Sequence, residues 1–350
     1  MTTPSDLVSD PVFQLNALLW LASPLPPIGP YKPILRDAGF EIYSIAPMLA
    51  PPPDVLLRLK ETGLAHQERF RPDVILADRQ RRCFVLVECK ANSFGTASST
   101  AEQARTLLVV CGDRLHDTLN VAPTDIASRA ASYFIPERVA TAMRETLEDL
   151  DKELASKRLP KGKSVLLMLC AREESIDFMA DELAQTLMGI PESTRFVVIE
   201  ADTDPRPLYF IPYDPDCDQL SEEREFCKRV LFERIHSEIL GSAGRSLPPV
   251  TIPFDADGLL DKSTMGMYGF WENRESQSHL KRLVRQLVEK LMEKVNDRHS
   301  GAFVATGNWT WQLRIEKGTQ ESLCDVLSRF SCETMDLRAE PEPYLFDVQQ

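Results

Sequence analysis

Residues 71–90 read RPDVILADRQRRCFVLVECK and contain two apolar runs, Val74–Ala77 and Cys83–Val87, separated by five polar residues. This pattern is typical of two β-strands joined by a tight connection. The second run is apolar at successive positions, which predicts a strand covered on both faces. Asp73 precedes the first run and Glu88 follows the second. Charges beside strands this apolar are costly unless they are paired or bind a ligand.

The connection determines which residues face each other. With a four-residue loop, Arg79–Arg82, at the turn, counting outward along both strands places Asp73 opposite Glu88. Opposed residues share a face, with Cβ atoms about 5 Å apart. Two carboxylates at that separation repel, whereas a divalent cation such as Mg²⁺ would bind both. Lys90 falls on the same face as Glu88, because strand side chains alternate, and a slip of one residue would turn one acid away.

This arrangement resembles the active-site signature of the PD-(D/E)xK nuclease superfamily, through Pro72-Asp73 and Glu88-Cys89-Lys90. Lys90 is the one lysine of the chain with an acid two residues before it. The core of that family is a helix, a three-stranded meander, a helix and a further strand, with the acids on the second and third strands. A predicted helix at 54–62, the hairpin and a predicted helix from Ser99 fit that order.

The resemblance implies a metal site. Asp73, Glu88 and the backbone carbonyl of Cys89 would bind Mg²⁺, for which Mn²⁺ can substitute. In the family, an acid from the first helix often joins the metal. Glu61 is the matching residue here, and Glu68, on the approach to the hairpin, is the alternative.

The resemblance also implies two catalytic side chains besides the acids. Lys90 would orient the attacking water or neutralise charge that develops on the phosphate in the transition state. Gln103 occupies the place of a glutamine that is common on the second helix of some branches. The tyrosine that often follows four residues later is replaced by Leu107, which leaves the branch of the superfamily open.

Other polar residues have plainer interpretations. We expect Glu102 to serve the capping box Ser99–Glu102 rather than to bind a metal. The hairpin tip contains three arginines that could touch a phosphate backbone, although a solvated turn is favoured. They are Arg79, Arg81 and Arg82.

Two further segments could face nucleic acid. The helix predicted at 279–298 carries six basic residues against three acids, and the loop 157–163 is basic as well. A solvated or partner-binding face is favoured for this helix and a solvated loop for 157–163. Trp309 and Trp311 alternate with polar residues, which predicts a core-facing strand rather than a base-stacking surface.

Composition restricts the class of protein. The chain has 350 residues, 43% of them hydrophobic, and a formal net charge of −13. This balance argues against an extensive basic surface that binds nucleic acid. It does not exclude one local groove that does so. The apolar stretch Val12–Ala22 is too short to span a bilayer, and no Lys or Arg precedes it, so we expect a cytoplasmic protein. Four cysteines in apolar runs are expected to be reduced core residues. They are Cys83, Cys89, Cys111 and Cys170.

The alternation of strands and helices predicts an α/β fold with a restriction-endonuclease-like core, in which helices flank a mixed central sheet. Further elements are expected as strands at 164–171, 195–201 and 207–213 and helices at 175–188 and 225–240. Residues 245–275 look irregular, and a long amphipathic helix and a β-hairpin turning at Gly307-Asn308 follow. We divide the chain into an N-terminal extension packed on the core (1–52), a nuclease-like domain (53–215) and a mainly helical C-terminal region (220–350).

The sequence therefore favours a Mg²⁺-dependent endonuclease that acts on DNA rather than RNA, in phage defence, restriction or DNA processing. Region 220–350 would serve recognition, or contact a second copy or another subunit. The main alternative is a catalytically silent scaffold or sensor subunit with the same fold. A third is an unrelated α/β protein that carries the motif by accident.

Overall fold

The structure, a computed structural model, describes residues 3–25, 31–199, 210 and 222–331. The chain forms two compact units, Met1–Leu208 with Phe270–Asn273, and Tyr209–Gly269 with Arg274–Gln350. Apart from Phe210, the strand predicted at 207–213 lies outside the described residues, and so does the boundary predicted between 215 and 220.

A seven-stranded mixed sheet forms the centre of the first unit. Its strands follow one another in space as in the chain: β1 (Glu41–Ile45), β2 (Val74–Asp78), β3 (Cys83–Cys89), β4 (Ser128–Pro136), β5 (Lys163–Ala171), β6 (Ser175–Ala180) and β7 (Ser193–Val198). Strands β1 to β3 and β5 to β7 pair antiparallel, while β3, β4 and β5 pair parallel. The predicted mixed sheet with flanking helices is confirmed.

The helices of this unit are α1 (Pro4–Leu7), α2 (Pro11–Leu21), α3 (Ile34–Asp37), α4 (Pro53–Thr62), α5 (Ser99–Val109), α6 (Leu115–Leu119), α7 (Ala140–Ser156) and α8 (Glu182–Met188). Apolar residues of α4, α5 and α7 form one cluster with the strands, and α2 packs against β3 and β4. All seven residues of β3 are buried. This confirms the prediction that helices or loops cover the strand on both faces.

The order of elements before the hairpin differs from the expectation. Helix α4 is present, and Gly63 ends it in the left-handed conformation at φ 70°. However, β1 precedes α4 and pairs with β2, so α4 lies between the first two strands of the meander instead of before them. Ile42 and Ser44 are buried while Glu41 and Tyr43 are not, the alternation of a strand with one face on the core.

Two helix starts also need correction. Helix α5 is capped by Ser98, whose Oγ accepts a hydrogen bond of 3.1 Å from the N–H of Ala101, so the capping box predicted at Ser99–Glu102 is wrong by one position. The helix predicted at 175–188 begins at Glu182, because Ser175–Ala180 is strand β6 and Asp181 caps the helix after it.

A π-helical turn, Val110–Arg114, interrupts the crossover from β3 to β4. Arg129 on β4 donates hydrogen bonds to the carbonyls of Cys111 (2.7 Å) and Gly112 (2.9 Å), which helps satisfy backbone groups that the irregular turn exposes. A Cβ atom on Gly112 would lie 2.6 Å from the backbone nitrogen of Lys161, so only glycine allows this close approach.

The second unit is mainly helical with a small antiparallel sheet. Its elements are α9 (Glu222–Arg245), β8 (Val250–Asp255), α10 (Ala256–Ser263), α11 (Arg274–Asn296), β9 (Phe303–Gly307), β10 (Thr310–Ile315) and α12 (Gln320–Ser328), and the strand order is β8-β10-β9. The predicted long helix and the hairpin are confirmed. Leu280 and Leu287 of the helix are completely buried, and Trp311 of the hairpin is 2% exposed and faces the core.

The expectation that residues 245–275 are irregular is wrong, because they contain β8 and α10. Strand β8 is an edge strand of its sheet. Its Pro253 cannot donate to a ladder, and an edge position tolerates that loss.

Cys83, Cys89, Cys111 and Cys170 are buried, as predicted, and none of the four forms a disulfide bond. Short 3₁₀ turns lie at Pro123–Asp125, Glu137–Val139 and Met267–Phe270. None of the helices in the described ranges combines the length and the apolar character that a membrane span requires.

Candidate active site

The hairpin brings the two acids together as its register predicts. Val74 lies opposite Val87, so the residues one step outward, Asp73 and Glu88, fall on one face of the sheet. The charge of Glu88 acts on the Asp73 carboxyl group. The carbonyl of Asp73 accepts a hydrogen bond of 2.9 Å from the N–H of Ala46, just after β1. The meander thus fixes the backbone on which the first acid sits.

Hydrogen bonds and an ion pair hold the predicted site residues in place. Asp73 Oδ2 accepts a hydrogen bond of 2.6 Å from the N–H of Cys89. Glu88 Oε1 lies 2.7 Å from Lys90 Nζ, and Glu88 Oε2 accepts a hydrogen bond of 3.0 Å from Gln103 Nε2. The structure therefore places all four predicted catalytic side chains in one cluster.

The surroundings of Asp73 disfavour its charged form. Burial, together with the negative charge of Glu88, raises the pKa of Asp73 from 3.8 to about 7, although Lys90, the Cys89 N–H and Arg71 oppose the rise. A carboxyl group with such a pKa exchanges its proton near neutral pH. A nearby cation would stabilise its charged form.

The surroundings of Lys90, in contrast, favour its charged form. Burial disfavours its charge, but the carboxylates of Glu88 and Asp73 outweigh this cost and raise the pKa of Lys90 above its usual 10.5. The ammonium group therefore stays protonated at neutral pH. It supplies a fixed positive charge and hydrogen-bond donors rather than a base.

Helix α5 holds the segment that leads into Asp73. Gln103 Nε2 donates to Glu88 and also to the carbonyl of Arg71, at 3.2 Å. Thr106 Oγ accepts a hydrogen bond of 3.0 Å from the N–H of Gln67 and donates to the carbonyl of the same residue at 3.2 Å. One face of α5 therefore positions both the chain before Asp73 and the carboxylate of Glu88.

Arg105 is a supporting residue that sequence reasoning missed. Its side chain is buried and donates to the carbonyls of Ala65 (3.3 Å) and Thr96 (2.7 Å) and to Glu153 Oε2 (2.8 Å). These bonds tie the loops on both sides of the hairpin to α5 and α7. An arginine inside an otherwise apolar helical stripe was the signal available in the sequence.

Tyr133 is a second residue near the site that the sequence analysis did not identify. It is the partner of Glu88 in the parallel pairing of β3 with β4 and is 1% exposed. Its ring packs against Phe94, with 5.7 Å between the centroids. Burial first, and the charge of Glu88 next, raise the pKa of Tyr133 well above 10.

Both candidates for a third acid are exposed. Glu61 is exposed on α4, and Glu68, also exposed, forms an ion pair of 2.7 Å with Lys60. Within the described ranges, no group of three or more His, Cys, Asp or Glu side chains could hold a metal ion. The oxygen donors that remain are the carboxylates of Asp73 and Glu88 and the carbonyl of Cys89, and the role of Glu61 stays a prediction.

The hairpin tip is not simply a solvated turn. Arg81 forms an ion pair with Asp78, donates to the carbonyls of Ala38 and Met188 (2.9 Å to the latter), and lies over the ring of Phe40. Arg81 is 41% exposed, as expected for a solvated turn, but it also contacts distant parts of the chain.

The other two arginines of the hairpin tip make fewer contacts. Arg82 Nη1 donates to the carbonyl of Thr124 at 2.9 Å, and Arg79 is exposed.

The other basic segments are partly neutralised by acids close to them. Lys161 pairs with Asp151 at 2.7 Å. On α11, Lys281 pairs with Asp257 at 2.8 Å, and Arg285 pairs with the glutamate one turn later. These ion pairs are consistent with solvated faces rather than with a phosphate-binding surface.

The site as a whole presents two carboxylates, an ammonium group and an amide at the end of two strands. Comparisons with protein-family models, with curated proteins and with solved structures find no match to this chain.

Proposed function

We propose that this protein is a Mg²⁺-dependent phosphodiesterase of the PD-(D/E)xK type that hydrolyses nucleic acid, with DNA preferred over RNA. The observation that carries the proposal is the meeting of Asp73, Glu88 and Lys90 on one face of a buried hairpin, with Gln103 bonded to Glu88. An apolar sheet has no structural need for this costly set of charges.

The donor set fits Mg²⁺. Two carboxylates and a backbone carbonyl are hard oxygen ligands, and Mg²⁺ usually keeps several waters and needs few protein ligands. The raised pKa of Asp73 adds a physical reason, since a cation would stabilise the charged form that burial and Glu88 disfavour. When bound, the ion would supply Lewis-acid chemistry at a phosphate oxygen.

The protein's own groups would then have distinct roles. Lys90 remains protonated, which favours neutralisation of phosphate charge over action as a base. Gln103 holds Glu88 Oε2 and the carbonyl of Arg71, so it would act as a positioning residue for the acid pair. The backbone N–H of Cys89 keeps Asp73 oriented.

The topology supports the family assignment in part. The antiparallel β1–β2–β3 meander, the α5 crossover and the parallel strand β4 match the expected core after its first helix. The position of α4 between β1 and β2 departs from that core. The assignment therefore depends on the hairpin and on α5 more than on the N-terminal elements.

The proposal is tested with purified protein, plasmid, single-stranded DNA and RNA, in Mg²⁺, Mn²⁺ or EDTA. We expect cleavage in either metal, none in EDTA, and loss of cleavage in Asp73→Ala and Lys90→Ala. Arg79→Ala removes an exposed charge from the same hairpin and serves as the matched control. Equal cleavage by wild type and both site variants would refute the assignment.

A silent scaffold is the second candidate, and one observation favours it. Both oxygens of Glu88 and one oxygen of Asp73 already have partners within the protein. In that case Mg²⁺ would bind without any turnover of nucleic acid. Calorimetric titration with Mg²⁺ beside the cleavage assay separates the two candidates.

The biological setting follows from the proposed activity. We infer a cytoplasmic role in phage defence, restriction or DNA processing, in keeping with buried cysteines that form no disulfide bond in the described residues. The second unit would supply recognition of nucleic acid, or contact a second copy or another subunit. Light scattering of the purified protein tests self-association.

A further inference from the structure

Gln14 on α2 is a buried polar residue to which the proposed chemistry assigns no task. Its side chain is completely buried. Its Nε2 donates hydrogen bonds to the carbonyl of Val8, at 2.8 Å, and to the carbonyl of Lys90, at 3.3 Å. Both partners are acceptors, so only one orientation of the amide satisfies them. A glutamine near the start of the chain thus contacts the backbone of a predicted catalytic residue that lies 76 positions later.

Packing does not explain the amide of Gln14. Its Oε1 is buried and has no hydrogen-bond partner among the residues that the structure describes. A buried acceptor without a partner is unfavourable and uncommon, and an apolar side chain of similar size would avoid that cost. What the glutamine supplies is the donor group that holds the two carbonyls.

Lys90 lies where the regular structure of β3 ends. The ladder between β3 and β4 stops at Cys89, which pairs with Phe134, and residues 91–97 form no helix or strand. Just beyond the ladder, the N–H of Lys90 donates to the carbonyl of Phe134 at 3.0 Å, and the carbonyl of Lys90 accepts from Gln14. Both backbone groups of Lys90 are therefore held, one by β4 and the other by α2.

The segment that carries Gln14 is itself fixed to the sheet. Helix α2 packs against β3 and β4. Val8, the second carbonyl partner of Gln14, is buried, and the Oγ of the next residue, Ser9, accepts a hydrogen bond of 3.1 Å from Arg138 Nη2, just after β4. The donor that holds Lys90 thus belongs to a segment that is tied to the same edge of the sheet.

The position of the ammonium group depends on this backbone. Lys90 Nζ lies 2.7 Å from Glu88 Oε1, and the lysine side chain is 28% exposed. A lysine side chain is long and flexible, so a fixed backbone limits the positions that its ammonium group can reach. Misplacement of a catalytic group by about 1 Å can cost about 100-fold in rate.

We propose that Gln14 is a positioning residue for Lys90: its bond to the Lys90 carbonyl fixes the backbone from which the ammonium group reaches Glu88 and the substrate phosphate. This inference rests on the proposed function, since it concerns the same site. It makes α2 a part of the active site, although residues 1–52 precede the nuclease-like domain delimited from the sequence.

The test compares Gln14→Met with Gln185→Met, since methionine is close to glutamine in size but has no N–H donor. Gln185 on α8 is the matched control, because its Nε2 donates to the carbonyl of Ala180 at the end of β6 (2.9 Å), three strands away from β3. We expect Gln14→Met to lower kcat for DNA cleavage in Mg²⁺ by about 10-fold with little change in KM, and Gln185→Met to match wild type. In a Lys90→Met background, Gln14→Met should cause no further loss, because a residue that acts through Lys90 has no effect once the ammonium group is gone.

A second measurement does not depend on cleavage. In protein labelled with ¹³C at the lysine Cε atoms, the NMR signal that disappears in Lys90→Met is that of Lys90. We expect Gln14→Met to shift or broaden this signal and Gln185→Met to leave it unchanged. If Gln14→Met does not fold, Gln14→Asn takes its place, because its amide is one methylene shorter and reaches the two carbonyls less well.

Each other outcome has a defined meaning. An unchanged Lys90 signal in Gln14→Met would overturn the inference, whether or not the wild type cleaves nucleic acid. In an active protein, an unchanged kcat would overturn it too, and so would equal losses in the wild-type and Lys90→Met backgrounds, because Gln14 would then act independently of Lys90. If wild type cleaves neither DNA nor RNA but the Lys90 signal responds, the proposed hydrolysis falls and the positioning of Lys90 by Gln14 stands.

Discussion

Replacing Asp73 by asparagine should stabilise the metal-free protein above neutral pH while it removes function. Asparagine has nearly the same shape, and its amide oxygen can still accept the hydrogen bond from the N–H of Cys89. The substitution therefore removes the negative charge and little else. Because Asp73 lies half-buried beside Glu88, that charge is unfavourable in the folded protein.

The size of the effect follows from the pKa of Asp73, which is 3.8 for a free carboxyl group and about 7 in the folded protein. The folded state holds the proton more tightly, so the stability from this group is full below pH 3.8 and is lost as the pH rises to about 7. One pKa unit corresponds to about 1.36 kcal/mol, which gives roughly 3 kcal/mol between pH 5 and pH 8. Solvent contact of the half-buried carboxyl group reduces the expected value to about 1–3 kcal/mol.

The assay is urea unfolding in EDTA at pH 5 and pH 8. The free energy of unfolding of Asp73→Asn relative to wild type should be greater at pH 8 than at pH 5 by this amount. Asp113→Asn, which changes an exposed carboxylate, should show no such difference. Mg²⁺ at 100 times its Kd should stabilise wild type by about 2.7 kcal/mol and Asp73→Asn much less. The reasoning is refuted if Asp73→Asn is the less stable protein at pH 8, or if its relative stability does not change with pH.

Three further predictions concern other parts of the first unit. Lys90→Met should lower the cleavage rate by about 10²–10³-fold, because the ammonium group is lost. Calorimetry should still detect Mg²⁺ binding to this variant. Normal cleavage would contradict the role of the charge. Arg105→Ala should lower the free energy of unfolding by about 3–5 kcal/mol, because it breaks a buried ion pair and two bonds to carbonyls, whereas exposed Arg79→Ala should change it by less than about 0.5 kcal/mol. Gly112→Ala should destabilise by about 1–3 kcal/mol, since its Cβ meets backbone atoms, while Gly95→Ala has open space and should not. Urea unfolding measures both pairs, and equal stability within either pair would contradict the packing described.

Local patterns in the sequence predicted the hairpin and its register. Two apolar runs and a four-residue connection leave one pairing that buries both strands, and Val74 does lie opposite Val87. The same reasoning predicted the amphipathic helix that corresponds to α11. It also predicted that Trp311 faces the core. In each case the period of apolar residues carries the information, because it reflects which face is buried.

Features that depend on distant partners were missed. The burial of Arg105 depends on carbonyls of two loops and on Glu153, none of which is near it in sequence. Tyr133 became a neighbour of Glu88 only through the pairing of β3 with β4. Strand β8 was overlooked because its proline argues against a strand unless the strand is known to lie at an edge.

The arginine at the hairpin tip has a consequence for the order of folding. Arg81 bonds to carbonyls that are 43 and 107 residues away in the chain, on segments that precede β1 and end α8. Contacts across such long loops carry a large closure entropy and require that both segments have already docked. We expect them to form late in folding, so that Arg81→Ala would speed unfolding more than it slows folding, which stopped-flow kinetics in urea would measure.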